Sequence, residues 1–169
     1  MHITITIPER LIKKAEELGI DIEDFTIESL IEKLGLNPEE SIEIRIELAE
    51  KYLKEGVSLA EKDPVEASEK IYKSAEKCVK ASAVYLNLEE ILRRVRERGR
   101  WAVTELERAV REASKRMGED IHIGWDVANY LHVWGFHEAK LDGDAVSRRI
   151  PYVEKMLGAV RKAVGKSER

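Results

Sequence analysis

Asn37-Pro38-Glu39-Glu40 and Asp63-Pro64-Val65-Glu66 decide the fold. Each stretch reads as a helix start: a side chain able to cap the first free N–H groups, then a proline where a missing N–H costs nothing. Acids follow, facing the positive end of the helix. The first start opens a helix to about residue 62, and Glu66 completes the second at the capping-box position. The helix after Asp63 carries a seam of Ala67, Ile71, Ala75, Cys78 and Ser82, three or four residues apart. Side chains that small let helices approach closely, so this helix is expected at the centre of a bundle.

Working outward toward the C-terminus, 88–97 reads as a short arginine-rich helix ending near Gly99. Trp101 begins another, with Leu106, Ala109, Val110, Ala113 and Met117 on one face, and Asp120 begins a segment to about Glu138. The last helix repeats apolar residues from Val146 to Val164, and Pro151 predicts either a kink or a second start within it. Short connections between amphipathic helices imply antiparallel neighbours. The expected fold is therefore all-α, an antiparallel up-and-down bundle over residues 37–169.

Toward the N-terminus the period changes. Ile3, Ile5 and Ile7 alternate with His2, Thr4 and Thr6, the pattern of a short strand. Pro8-Glu9 then starts a helix stopped by Gly19, and 21–24 caps a second one closed by Gly35. Residues 1–36 thus read as a strand-helix-helix arm. A lone strand needs a partner, most simply its copy in a second chain, so a homodimer is expected.

The chain has 169 residues, 43% hydrophobic and 37% charged, which fits about one domain with a small appendage. Its apolar runs are too short for a membrane span, and residues 1–4 lack the charge and apolar core of a signal peptide. One cysteine, Cys78, can form neither an internal disulfide nor a cysteine metal cluster, which fits a reducing cytoplasm; on the small-residue seam it reads as a buried hydrophobe. The net charge of −4 argues against a surface that is basic throughout. Its distribution is uneven: 16 acids and 8 bases in 1–63 give −8, and 17 acids and 21 bases in 64–169 give +4. Within 93–116, eight arginines and one lysine face four glutamates, a net of +5, either a binding face or a salt-bridged helix. A glycine-rich phosphate loop and a Gly-x-Ser-x-Gly elbow are absent from the sequence, so nucleotide-hydrolase and serine-hydrolase chemistry has no support.

The helical pair from Ala49-Glu50-Lys51-Tyr52-Leu53 through Asp63-Pro64-Val65-Glu66-Ala67-Ser68-Glu69-Lys70-Ile71-Tyr72-Lys73 resembles the archaeal PaREP family. So do Glu97-Arg98-Gly99-Arg100-Trp101 and Trp125 through Leu131-His132-Val133-Trp134-Gly135-Phe136-His137-Glu138, in the same order over about 40–165. The resemblance implies a helical bundle of the wider HEPN class, which includes metal-independent ribonucleases and nucleotidyltransferase partner domains. It carries no settled activity with it. The first 36 residues separately resemble ribbon-helix-helix antitoxin modules, which implies paired strands reading DNA bases through His2, Thr4 and Thr6, with Arg10 near phosphate. That strand has no Arg or Lys and the segment is acidic, so a dimerising arm is the expectation rather than DNA binding. Residues 49–85 also look like a tetratricopeptide helix pair, although no repeat follows.

Three groups of residues can carry chemistry. Arg116 and His122 have the arginine–histidine spacing of HEPN ribonucleases, in which histidine moves a proton and arginine steadies phosphate charge. His132, Trp134, His137 and Glu138 form the densest cluster. His132 shares a helical face with Trp125, Ala128 and Gly135, so it reads as a hydrogen-bonded core residue or as part of a pocket. His137 near the helix end reads as a cap or as an anion ligand. The i,i+5 spacing places His132 and His137 on different faces of an α-helix, so a metal is not expected. Finally, Arg98, Arg100 and Trp101 can stack on or contact a phosphate, or pair with Glu97 and Glu105. The function favoured by these residues is a non-catalytic nucleotide- or RNA-binding module without a cofactor. By analogy of fold it belongs near toxin–antitoxin systems. The alternatives are a ribonuclease using Arg116 with His122 or His137, and a protein-interaction scaffold.

Overall fold

The computed structural model describes Met1 and residues 3–167, and it divides into two compact units, residues 1–37 and 38–169. The second unit holds the core. Its first two helices, α3 (Pro38–Leu59) and α4 (Pro64–Tyr85), form an antiparallel hairpin. Asp63 caps α4 as its pattern requires, its carboxylate accepting from the Glu66 N–H at 3.0 Å. The Ser74 hydroxyl donates to the Ala49 carbonyl at 2.7 Å. Further along, a Cβ at Gly56 would lie 2.6 Å from Ile71 Cγ1, so glycine is what lets α3 meet α4 there.

α4 is the central helix. Ala67, Ile71, Ala75, Cys78 and Ser82, the whole expected seam, are buried. Around it run α5 (Glu89–Arg98), α6 (Val103–Met117), α7 (Glu119–Tyr130), a short α8 (Gly143–Ser147) and α9 (Ile150–Ser167). Pro151 marks a second start, falling in the first turn of α9 after α8 has ended. Gly124 on α7 permits a close approach to α9, since a Cβ there would sit 2.6 Å from Met156 Cβ. Burial pushes the Cys78 thiol up to about 12, as expected of a core residue rather than a nucleophile. Among the described residues no helix is long and apolar enough to cross a membrane.

The segment expected as one helix from Asp120 to Glu138 is two. After Tyr130 the backbone widens into a π-helix, Leu131–His137. It stops at Ala139, which takes the left-handed φ of 50° while the Lys140 N–H reaches back to the Trp134 carbonyl at 2.8 Å. A π-turn is rare and raises the number of residues per turn, which changes which side chains share a face.

In the first unit, α1 (Glu9–Glu17) and α2 (Ile22–Lys33) form where caps and glycines placed them, with Asp21 accepting from the Asp24 N–H at 3.0 Å. The expected strand does not form among the described residues: 3–8 carries no strand pairing. The reason is the one its alternation raised, since a single strand has no neighbour in its own chain to bond. His2 lies outside the described residues. Neither α1 nor α2 buries a residue, and Ile3, Ile5, Leu11, Leu18, Phe25, Leu30 and Leu34 are each more than half exposed.

Candidate functional site

The polar cluster of the bundle is built where the π-helix crosses the first turns of α4. Gly135 sits against Ser68, where a Cβ would come within 2.6 Å of Ser68 Cβ, so the two backbones pack closely. That approach brings Glu69 to His132, with Oε2 and Nδ1 2.7 Å apart. Tyr72, one turn on, stacks its ring on His132 at 4.0 Å and 22°. Behind them Trp125 is fully buried, its indole N–H donating to Glu107 at 2.7 Å. The shared face expected for Trp125, Ala128, His132 and Gly135 is present, and His132 lies at its edge, its side chain 25% exposed.

The expectation that i,i+5 separates the two histidines is overturned here. On the π-helix His137 swings over His132, and their Nε2 atoms lie 3.1 Å apart. With the Nδ1 hydrogen of His132 given to Glu69, Nε2 of a neutral ring presents a lone pair toward His137. The result is a Glu69–His132–His137 chain running from a half-buried carboxylate to an exposed imidazole. Glu138 follows as an exposed residue whose N–H closes on the Val133 carbonyl at 2.9 Å. Among the described residues, no group of three or more His, Cys, Asp or Glu side chains is gathered as a metal cage.

Trp134 is 45% exposed and pairs with Tyr130 at 6.4 Å between ring centroids. The Arg149 guanidinium lies 4.4 Å from the Tyr130 ring centre, a cation over an aromatic face. Tyr130, Trp134 and Arg149 thus form a stacking surface in contact with solvent.

The arginine-rich stretch lies elsewhere. Its neighbour on α4 is Lys80, which approaches Trp101 at 5.9 Å, and eleven residues of α-helix, about 16 Å, separate Lys80 from Glu69. Most of its charge is matched locally. Arg93 pairs with Glu97 at 2.8 Å, Arg94 with Glu90 at 3.2 Å, Arg96 with Glu89, and Arg98 with the buried Glu105. The hydrogen bond from Arg108 holds the Glu90 carboxyl below its ordinary range. Arg100 is exposed at the end of this stretch. Arg98, Arg100 and Trp101 therefore do not join His132, Trp134, His137 and Glu138 in one pocket. Arg116 and His122 stand on either side of the Gly118 turn, both exposed, with His122 Nε2 3.2 Å from Asp126.

Glu69, Tyr72, Tyr130 and Arg149 were not singled out from the sequence. The i,i+4 spacing of Tyr130 and Trp134 could have marked their pairing, whereas Glu69 reaches His132 across 63 residues without any local signal.

The chain is a helical bundle around a central hairpin, with a polar cluster on a π-helical turn. The chain belongs to the Archaeal PaREP1/PaREP8 family, whose model matches residues 44–157. Its structure is similar to the crystal structure of a protein from Sulfolobus solfataricus, with 34% sequence identity and a TM-score of 0.58. That match covers 73% of this chain and 96% of the other. No curated protein matches.

Proposed function

We propose that the bundle is a non-catalytic, HEPN-like module that binds RNA or a nucleotide through Tyr130, Trp134 and Arg149, beside His137. The exposed aromatic pair with a guanidinium over one ring carries this reading. Bases stack on such faces whatever their sequence, at about 1–3 kcal/mol per base, and arginine adds attraction to the phosphates. The test is a titration with a single-stranded RNA octamer, following tryptophan fluorescence. Quenching that Trp134→Ala abolishes and Tyr130→Ala or Arg149→Ala weakens supports the reading. A flat titration with wild-type protein removes it and leaves the interaction scaffold.

A metal-independent ribonuclease is the second reading, favoured by the Asp126 carboxylate that orients His122. In it His122 takes the ribose 2′-hydroxyl proton and Arg116 steadies phosphate charge, with His137 as the alternative base. Cleavage of the same RNA in excess chelator, lost in His122→Ala or His137→Ala, is its expected outcome. An undamaged octamer after long incubation rules it out.

The first unit serves as a homodimer arm in this proposal. It leaves its apolar residues exposed, and the second copy supplies cover for Ile5, Phe25 and Leu30. Light scattering on the full chain is expected to give twice the 19.4 kDa chain mass, and Ile5→Lys to give the monomer. A wild-type monomer at micromolar concentration excludes the arm. A place in a toxin–antitoxin-type system would follow from partners found for this dimer.

A further inference from the structure

The histidine pair is folded together more closely than a collinear hydrogen bond would place it. An imidazole centroid lies about 1.15 Å from its nitrogen, so a collinear Nε2–H···Nε2 bond at this separation would put the centroids roughly 5.4 Å apart. They are 4.4 Å apart with the rings at 81°. Two imidazoles converging on one ion, with metal–nitrogen bonds of about 2.05 Å, bring their centroids to about 4.8 Å when the nitrogens are this close, nearer the observed 4.4 Å than the collinear bond is. The 3.1 Å between the Nε2 atoms falls between the ~2.9 Å of adjacent octahedral positions and the ~3.3 Å of tetrahedral ones.

The surroundings suit an ion as well. Glu69 takes the Nδ1 hydrogen of His132, which fixes the ring with its Nε2 lone pair outward and raises its donor strength, the arrangement that supports metal-bound histidines. Tyr72 stacked on His132 holds the ring plane. His137 is exposed, so an ion can enter from solvent. We propose that His132 and His137 bind one divalent transition-metal ion through their Nε2 atoms, with Glu69 as the outer-shell carboxylate. Two protein ligands leave the other coordination positions to water or to an oxygen-bearing ligand. Imidazole donors favour copper, nickel and zinc over magnesium or calcium.

Calorimetric titration of metal-free, full-length protein with Cu²⁺, Ni²⁺, Zn²⁺ and Mg²⁺ tests this. The expected result is one ion per chain for the first three, tightest for Cu²⁺, and no heat with Mg²⁺. His137→Ala, an exposed substitution that leaves the core untouched, is expected to weaken Ni²⁺ binding at least tenfold. Glu69→Gln is expected to weaken it about 10–100-fold. His2→Ala and His122→Ala are expected to bind as wild type. Absence of binding, or affinity that survives His137→Ala and falls in His2→Ala or His122→Ala, overturns the proposal. If Glu69→Gln lowers stability, the circular dichroism of Ni²⁺-titrated His137→Ala still decides the ligand set, because that variant retains Glu69–His132.

Discussion

Glu69 Oε2 and His132 Nδ1 meet at 2.7 Å, joining the second turn of α4 to the π-helix, with side chains 14% and 25% exposed. Partial burial makes this hydrogen bond matter more than the exposed Arg93–Glu97, Arg94–Glu90 and Arg96–Glu89 pairs of α5, since water competes for it less. A carboxylate acceptor there draws a hydrogen of His132 to Nδ1 and leaves Nε2 facing His137.

Removing the acceptor should therefore cost stability. Glu69→Ala is expected to lower unfolding free energy by about 1–2 kcal/mol, and Glu69→Gln, which retains an amide oxygen, by less. Urea unfolding followed by far-ultraviolet circular dichroism measures both. Two variants as stable as wild type would show that the contact holds nothing together.

The close approach behind this contact makes a separate prediction at Gly135. A Cβ there meets Ser68, which is held on α4 by donating to the Pro64 carbonyl at 2.7 Å and has little freedom to yield. Gly135→Ala is expected to destabilise by roughly 1–3 kcal/mol, the usual cost of overpacking. It should also push the π-helix off Glu69, so the imidazole resonances of His132 and His137 should shift together in nuclear magnetic resonance spectra. A variant of wild-type stability with unmoved histidine signals contradicts the packing described for this turn.

How much of this was legible follows from the range of each interaction. The α3–α4 hairpin could be read because its starts are local: a capping Asp63, a proline and a glutamate within four residues. The buried seam was legible too, through the spacing of its small side chains. The π-helix was not, because Leu131-His132-Val133-Trp134-Gly135-Phe136-His137 has the composition of any amphipathic helix. Reading that stretch as α put the two histidines on different faces, and the pairing was lost with it. The N-terminal alternation has the period of a strand, but that period becomes a strand only where a second backbone is present, and no strand forms among the described residues.

Ala139 offers a test of the stop that ends the π-helix. It holds a φ of 50°, where an alanine Cβ crowds its own backbone at a cost of about 1–2 kcal/mol. Glycine pays no such steric penalty, though it loses more chain entropy on folding. Ala139→Gly is thus expected to raise stability by roughly 1 kcal/mol, an increase of about 2–4 °C in melting temperature for a chain of this size. Scanning calorimetry measures it, and a lower melting temperature would mean that Ala139 is not left-handed in solution.

Cys78 predicts a dependence on alkaline pH. Its thiol, ordinarily at 9.0, is pushed up to about 12 by burial, which outweighs the favourable charge of Arg161. In the unfolded chain the proton leaves from about pH 9 upward, while the folded chain retains it toward 12. The unfolded state therefore binds fewer protons in that window, and stability falls as pH rises through it, by at most about 1.4 kcal/mol per pH unit from this group. Below pH 9 the group adds no slope. Cys78→Ala removes the thiol at a constant cost of about 1 kcal/mol for the smaller side chain. The advantage of wild type over Cys78→Ala should accordingly be about 1 kcal/mol at pH 8, vanish at about pH 9.7 and give way to a more stable Cys78→Ala by about pH 10.5 in urea titrations. A gap that stays constant over that range would show that the thiol ionises as readily in the folded protein as in the unfolded chain, against its burial on the central helix.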